Sequence, residues 1–289
     1  IMPSLVGSEM CIRDSLYISR KAVFVSCLYD LSDYELELVF SDTIGYTPRQ
    51  LLSSLALEED EMLQAFCADE LDEPLDSGKR VRFYDRIRSS SLAKILLEKS
   101  GEARRLLLSY LRQEGFLGSE KPGIVDIGWK GNTNRVLNYI LRREEDTNAY
   151  LSFFLGVKET RHPIASIGDY EAGYYFEDYL DEPEYAYNLF ALVYVLENYF
   201  SASDDTTLSR YREEDGTIYP EFSPGIISDA SKEKNQYILR LTEGFLDLIM
   251  ESGLLRYDPS SLFGDVGVPT LLRLASRPSM AELLSLIHI

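Results

Sequence analysis

The stretch that decides the fold is GIVDIGWKGNTNRVLNYI, Gly123 to Ile140, where an apolar run meets glycines and then a helical pattern. The run GIVDI predicts a buried strand, and TNRVLNYILRR predicts the helix that follows it. A second apolar run, AYLSFFLGV at 149–157, predicts another strand. Strand, helix and strand in this order are typical of a βαβ unit in a parallel sheet.

These signals predict an α/β fold with a small parallel-sheet, Rossmann-like core over residues 16–160. LYIS at 16–19 predicts a further short strand of this core. The remainder, 161–283, predicts a mostly helical C-terminal appendage that holds a long aromatic-rich helix at 184–200 and a hairpin in DDTTLSRYREEDGTIYPEF. A last amphipathic helix is expected to begin with Ser231 as its N-cap.

Three local signals mark helix boundaries before the core strand. Thr47 followed by Pro48 is a good helix start, because proline fits the first helical position. Gly101 predicts a break between two helices in the apolar-periodic segment 89–116. Gly115 predicts the end of the second of them.

The two ends of the chain resemble translated sequencing-adapter read-through. The segments are IMPSLVGSEMCIRDS at 1–15 and SLIHI at the other end. We therefore expect residues 1–15 to be an artefact or a disordered tail and 284–289 to be an artefact. The alternative is a short apolar tail or a weak signal peptide, although the stretch lacks the basic start and unbroken apolar core of one.

The composition excludes several classes of function. With 29 basic and 48 acidic residues the chain carries a formal charge of −19, which opposes binding to nucleic acid and to anionic membranes. We expect no membrane span, because no apolar run approaches the ~18 residues that one needs. Apart from the doubtful ends, the inventory of metal-binding and nucleophilic side chains is Cys27, Cys67 and His162. These three predict no zinc site, no histidine-based triad and a cytoplasmic location.

The turn DIGWKGNT is the candidate site, because ligands of open parallel sheets collect beyond the carboxyl ends of the strands. Unpaired N–H groups at the start of the next helix attract anions. Gly128 and Gly131 would let the backbone approach a ligand, and Lys130 would add a charge for phosphate. The other candidate residues of this turn are Asp126, Trp129, Asn132 and Thr133.

Each remaining residue of the turn has a chemical role in this interpretation. Asp126 would act as a base or hold a sugar hydroxyl, and Trp129 would offer a flat apolar face. Asn132 and Thr133 would add hydrogen bonds or cap the helix. The alternative is a plain connecting turn, in which Asp126 caps locally and Trp129 packs in a groove.

Three residues outside the turn complete the candidates. Ser19 and Arg20 would reach the same mouth if their predicted strand neighbours the first, and Arg20 could then bind an anion bidentately. An ordinary surface ion pair is the alternative for Arg20. Glu197 on the aromatic helix could face the site or simply be solvated. His162 fits a surface loop better than a catalytic role.

Several stretches resemble the C-terminal module of bacterial haloacid-dehalogenase-like (HAD-like) proteins that are encoded among glycosyltransferases. They are LYISRKAVFV, YLRQEGF with GIVDIGWKGNTNRVL, YLSFFLGV, and LVYVLENYFSASDDTTLSRY with DGTIYPEF. The resemblance implies a role in cell-surface polysaccharide biosynthesis. It also implies an upstream domain with a Phe-Asp-x-Phe-Asp-Thr-like nucleophile motif, which these residues lack. Mg²⁺ is therefore expected only through that missing domain.

Two hypotheses follow. In the first, the turn binds a phosphorylated sugar or nucleotide sugar as part of a hydrolase or transferase module whose reaction and cofactor stay open. In the second, the chain is a non-catalytic interaction or regulatory module that docks a glycan-assembly enzyme such as a glycosyltransferase. The second hypothesis predicts that Tyr187, Phe190 and Tyr194 form an exposed patch.

Overall fold

The structure is a computed structural model, and it describes residues 16–40, 45–118, 122–129, 131–144, 150–158, 172–178, 205–225 and 227–252. The helices are α1 Arg20–Val25, α2 Asp33–Phe40, α3 Pro48–Ser54, α4 Glu59–Met62, α5 Ala68–Leu71, α6 Ser77–Ser89, α7 Leu92–Gln113, α8 Asn132–Glu144 and α9 Asp229–Ser252. The strands are β1 Gly123–Trp129, β2 Leu151–Lys158, β3 Ala172–Asp178, β4 Leu208–Glu214 and β5 Thr217–Phe222. The fold is thus a mixture of helix and strand with a small parallel sheet.

The chain divides into two compact units. The first unit contains residues 1–118 and 208–221, and the second contains 119–207 and 222–289. The predicted boundary at residue 160 does not coincide with this division. The predicted core began at residue 16, but the described residues from 16 to 118 contain helices and no strand. The parallel sheet begins only at β1, and the hairpin assigned to the appendage belongs to the first unit.

The first unit is a helical body with a core of leucine and aromatic side chains. Phe40, Phe66, Phe83 and Tyr84 form one aromatic cluster with ring centroids 5.6–6.0 Å apart. Such tilted and offset pairs stabilise a core beyond the area they bury. The start of the short helix α3 was predicted, and its cap is present: Thr47 accepts a hydrogen bond from the Gln50 N–H, with Pro48 at the helix start.

The stretch 16–19 is not a strand, so the prediction of a core strand in LYIS was wrong. Ser19 has extended backbone and its side chain accepts a hydrogen bond from the Ala22 N–H, which makes it the N-cap of α1. The run AVFV at 22–25 is apolar throughout, so its periodicity does not distinguish a buried helix from a buried strand. The capping serine decides for the helix.

Helix α7 is continuous through Gly101, so the predicted division into two helices was wrong. A glycine inside a helix costs only about 1 kcal/mol. The buried stripe that includes Leu96, Leu107 and Leu111 outweighs that cost. Gly115 does end the helix, as predicted: its φ is +72°, and the Phe116 N–H bonds to the Leu111 carbonyl as in a Schellman motif.

The predicted hairpin is present as β4 and β5, joined by Asp215 and Gly216. Both loop residues have positive φ, which is the pattern of a type I′ turn. The hairpin packs on α7, where the rings of Tyr110 and Tyr211 stack. Both tyrosine hydroxyls bind the backbone of Tyr17: its N–H donates to Tyr110 and its carbonyl accepts from Tyr211.

The second unit contains the three-stranded parallel sheet in the order β1-β2-β3. Helix α8 connects β1 to β2, as the sequence predicts for a βαβ unit. Its buried face holds Val136, Leu137, Ile140 and Leu141. One face of the sheet meets α8. On the other, Val125 is 84% exposed and Phe153 47% exposed, so β1 is not the fully buried strand that its apolar run predicts.

Helix α9 ends the described part of the second unit. The sequence predicted Ser231 as its N-cap, but the helix begins at Asp229. Ser228 is the capping residue, since its Oγ accepts a hydrogen bond from the Ser231 N–H. Among the described residues no helix is long and apolar enough to cross a membrane. The segments 1–15 and 284–289 lie outside the described residues, as does the predicted aromatic helix at 184–200.

Candidate functional site

The strand–turn–helix of the candidate site is built as β1, a two-residue turn and α8. Strand β1 extends to Trp129, so Gly128 and Trp129 lie in the strand and not in the turn where the sequence placed them. Only residues 130 and 131 separate β1 from α8. Gly131 has a φ of +63°, a conformation that favours glycine, and its carbonyl accepts the first helical bond from the Arg135 N–H.

The start of α8 is the place where the sequence predicted an anion site. The helix is 13 residues long and has no acidic residue in its first turn. The N–H groups of that turn have no partner within the helix, and the helix dipole places partial positive charge there. Asn132 and Thr133 are the first two helical residues, as the prediction of hydrogen-bonding side chains at this point requires.

The carboxyl ends of the three strands are in register. Trp129 of β1 pairs with Val157 of β2, which in turn pairs with Glu177 of β3. One step earlier Gly128 pairs with Gly156. Because glycine has no side chain, neither β1 nor β2 contributes one at this level of the sheet. The edge that leads to the α8 start therefore has two adjacent positions without side chains.

Asp126 lies inside β1, three residues before its end, and not in the turn. Its Oδ2 accepts a hydrogen bond of 3.1 Å from the Asn134 side chain in the first turn of α8. The carboxylate is half-buried between the strand and the helix. This geometry places the Asp126 side chain on the face of the sheet that α8 covers, beside the first turn of that helix.

Asn134 is the centre of a buried polar network that sequence reasoning missed. Its Oδ1 accepts hydrogen bonds from Tyr150 at 3.2 Å and from Ser152 at 3.3 Å, and the Tyr150 hydroxyl also donates to its carbonyl at 2.9 Å. All three residues are at most 3% exposed. The signal was present in the sequence. Asn134 and Asn138 lie three or four residues from Leu137 and Leu141, so they fall on the same buried face of α8. Polar residues at such positions indicate a bonded network.

Ser19 and Arg20 belong to the first unit, whereas the turn belongs to the second. The argument that put them at one mouth required 16–19 to be a strand beside β1, and the structure removes that premise. Ser19 caps α1 and its hydroxyl donates to the Leu208 carbonyl at 2.8 Å. Arg20 is exposed, with its guanidinium 6.0 Å from the centre of the Phe24 ring.

Several predicted residues lie outside the part of the chain that the structure describes. They are Lys130, His162, Glu197 and the predicted patch Tyr187, Phe190 and Tyr194. Among the described residues no three histidine, cysteine or acidic side chains are grouped so that they could hold a metal ion. The two described cysteines differ in environment, since Cys27 is buried and Cys67 is exposed.

A comparison with models of known protein families gives no match, and a comparison with curated proteins gives none either.

Proposed function

We propose that the β1–α8 segment binds the phosphate of a phosphorylated sugar or nucleotide sugar. The observation that carries this proposal is the start of α8, which follows a positive-φ glycine at the carboxyl end of a parallel strand and has no acid in its first turn. A helix start of this kind is an anion site by its N–H groups and its dipole. The paired Gly128 and Gly156 leave the neighbouring sheet positions without side chains.

In this proposal each side chain binds a different part of the ligand. Lys130, which follows β1 in the sequence, supplies a cation for phosphate. Asn132 and Thr133 bind oxygens of the ligand, and Trp129 supports the sugar or base. Asp126 acts as hydroxyl anchor or base, with its carboxylate oriented by the hydrogen bond from Asn134.

The wider role in the proposal is that of a bacterial HAD-like protein of cell-surface polysaccharide biosynthesis that works in the cytoplasm. The support is the resemblance of the β1–α8 and neighbouring stretches to that module, together with a βαβ unit of the kind that a Rossmann-like core contains. Hydrolase or transferase chemistry would then depend on an upstream nucleophile and its Mg²⁺. The ligand-binding half of the proposal does not depend on that chemistry.

Calorimetric titration of the intact chain tests the binding. The probes are sugar 1-phosphates, nucleoside diphosphate sugars and inorganic phosphate. We expect Lys130→Ala to weaken binding of the sugar phosphates by about tenfold, because it removes one charge at the phosphate. Asp126→Ala should weaken the sugar compounds but not inorganic phosphate. Lys94→Ala removes an exposed lysine of α7 and serves as the matched control. Unchanged binding in both site variants contradicts the proposal.

The alternative function is a non-catalytic module that docks a glycan-assembly enzyme. Helix α9 favours it, because Tyr237, Leu241 and Leu248 are each more than half exposed and their spacing puts them on one side of the helix. Co-elution with glycosyltransferases encoded beside the gene tests this function. A Leu241→Glu, Leu248→Glu double variant should abolish co-elution, and co-elution that survives the double variant contradicts docking through α9.

A further inference from the structure

We propose that Asn134 is a positioning residue that directs the Asp126 carboxylate and thereby makes the site prefer a phosphorylated sugar to free phosphate. The inference deepens the proposed function and rests on it, because that function gives Asp126 its contact with the sugar. It adds Tyr150 and Ser152, which no pattern in the sequence assigns to the site. The order of donors and acceptors in one buried network carries it.

The Asn134 side chain joins three parts of the second unit. Asn134 is the third residue of α8 and is 3% exposed. Its Nδ2 donates to the Asp126 Oδ2 on β1 at 3.1 Å. On the other side of the amide, its Oδ1 lies 3.2 Å from the Tyr150 hydroxyl and 3.3 Å from the Ser152 Oγ, where β2 begins. One amide therefore connects the carboxylate to two buried hydroxyls.

The chemistry of the partners fixes which end of the amide faces Asp126. An ionised carboxylate only accepts hydrogen bonds, so it binds the NH2 end of an amide. In the flipped amide Oδ1 would point at the carboxylate, which is repulsive, and the bond to Asp126 would be lost. With the NH2 end towards Asp126, Oδ1 faces two hydroxyls that donate to it. The network therefore has one direction, from the hydroxyls through the amide to the carboxylate.

Ser152 and Tyr150 hold this direction in different ways. The Ser152 hydroxyl is 1% exposed and donates to the Asn134 Oδ1. The Tyr150 hydroxyl lies between two acceptors of Asn134, because it is also 2.9 Å from the backbone carbonyl oxygen of that residue. In a buried chain of hydrogen bonds, donation to the carbonyl end of an amide strengthens donation by its NH2 end. Both hydroxyls therefore fix the Asn134 side chain and strengthen its bond to Asp126.

This arrangement affects the two parts of a sugar phosphate differently. In the proposed function the phosphate is bound by N–H groups at the start of α8, which need no side chain of the network. The sugar hydroxyl is bound by the half-buried carboxylate of Asp126, and a hydrogen bond weakens steeply when its acceptor turns away. Loss of the Asn134 amide should therefore remove affinity for the sugar and leave the affinity for phosphate.

A purely structural role of the network predicts a different result. A buried polar group that is left without a partner is costly, so Asn134 would then serve only to hold α8 against the sheet. Breaking the network would lower the stability and disturb the start of α8. Since both ligands need that helix start, their affinities would fall together. The ratio of the two affinities separates the two roles.

Calorimetric titration of the intact chain measures this ratio, with glucose, galactose and mannose 1-phosphates and inorganic phosphate as probes. We expect Asn134→Ala to weaken the tightest sugar 1-phosphate by about tenfold and inorganic phosphate by less than about twofold. Asn138→Ala is the matched control, because it removes another buried amide from the same helix, one turn further along. It should leave the ratio as it is.

Milder variants keep the test decisive where Asn134→Ala is poorly folded. Ser152→Ala and Tyr150→Phe each remove a single hydroxyl, and circular dichroism checks that the variants retain the fold. Each should weaken the sugar 1-phosphate by about threefold without weakening inorganic phosphate. Ser152→Thr keeps the hydroxyl and should restore the ratio.

The outcomes distinguish this inference from the function on which it rests. If the unaltered chain binds none of the three sugar 1-phosphates up to about 10 mM, the proposed function is contradicted and the inference falls with it. If the chain binds one of them, and Asn134→Ala and Ser152→Ala both leave the ratio within about twofold, only the inference is overturned. An equal change of the ratio in Asn138→Ala also overturns it, because the effect is then one of stability.

Discussion

The rings of Tyr110 on α7 and Tyr211 on β4 stack with their centroids 4.8 Å apart and an interplanar angle of 28°. Their hydroxyls hold the two sides of one peptide segment: Tyr17 donates its N–H to Tyr110 and accepts from Tyr211 at its carbonyl. Both rings are at most 4% exposed. This contact joins three parts of the first unit. They are the residues just before α1, helix α7, and the β4–β5 hairpin, which follows α7 by almost one hundred residues in the sequence.

The hydroxyl and the ring of Tyr211 should contribute separately to stability. Tyr211→Phe keeps the stack and loses the bond to the Tyr17 carbonyl, so we expect a loss of about 1 kcal/mol in the free energy of unfolding. Tyr211→Ala also empties the buried ring site and should cost about 3–5 kcal/mol. Urea denaturation measures both. Tyr219→Phe, on the exposed side of the hairpin, is the neutral control, and equal losses for the Phe and Ala variants would contradict this division.

That contact also explains what sequence could and could not predict. The cap at Thr47, the end of α7 at Gly115 and the helix after β1 were predicted, because each depends on residues within a few positions of one another. The hairpin itself was predicted from the stretch DDTTLSRYREEDGTIYPEF, whose signal is also local. Its place in the first unit was not, because no local pattern encodes a stack between Tyr110 and Tyr211.

The candidate site shows the same limit. The order strand, turn and helix was predicted, and so was the parallel pairing of β1 with β2. The position of Asp126 inside the strand was not predicted. Gly128 suggested that the strand ends before it, whereas the pairing of β1 with β2 continues to Trp129. Whether a strand continues through a glycine depends on its neighbour, and here that neighbour is Gly156. The network around Asn134 likewise requires Tyr150 and Ser152 from the next element.

A glycine inside α7 and a glycine just after its end should respond in opposite directions to the same substitution. Gly101 lies inside the helix and a methyl group there would meet no atom within 4 Å, so Gly101→Ala should stabilise the chain by about 0.5–1 kcal/mol. Gly115 ends the helix with a φ of +72°, so Gly115→Ala should destabilise it by about 1 kcal/mol. Urea midpoints of the two variants measure the effect. A shift in the same direction for both would contradict the geometry.

The two described thiols should differ in reactivity. Cys27 is fully buried and donates to the Phe24 carbonyl; burial, with the nearby Glu35 carboxylate adding to it, raises the pKa of its thiol far above the usual range. The reactive thiolate is therefore suppressed, whereas Cys67 is exposed. We expect iodoacetamide at about pH 8 to modify Cys67 in the native protein and Cys27 only in denaturant. Peptide mapping by mass spectrometry reads both sites, and equal native rates would contradict the buried position.

The cap of α6 should make stability depend on pH. Asp76 accepts a hydrogen bond from the Lys79 N–H at 2.8 Å, which holds the pKa of its carboxyl below the usual value. A folded-state pKa that is depressed stabilises the fold above the unfolded pKa of about 4, and this contribution is lost as pH falls through the folded value. Asp76→Asn keeps an acceptor without the charge. The difference in melting temperature between the two proteins should therefore shrink from about pH 6 to about pH 3.

A pH-independent difference between the protein and Asp76→Asn would contradict that account. Asp69→Asn provides the matched control, because Asp69 is an exposed acid in the short helix α5, and within the described part of the chain it is the Glu70 side chain that binds the start of that helix. Added salt separates two contributions. It should weaken the attraction of Asp76 to Lys79 and Arg82, which also lowers its pKa, and leave the short hydrogen bond to the N–H in place.

Hydrogen exchange should alternate along β4. Beside the Asp215-Gly216 turn, the N–H groups of Arg212 and Glu214 face β5, whereas those of Tyr211 and Glu213 point away from it. Amides without a bonded partner exchange without any opening of the hairpin. We therefore expect slow exchange at Arg212 and Glu214 and fast exchange at Tyr211 and Glu213, measured residue by residue by NMR. Uniform protection along β4 would mean that its edge is already covered, which contradicts the structure of the hairpin described above.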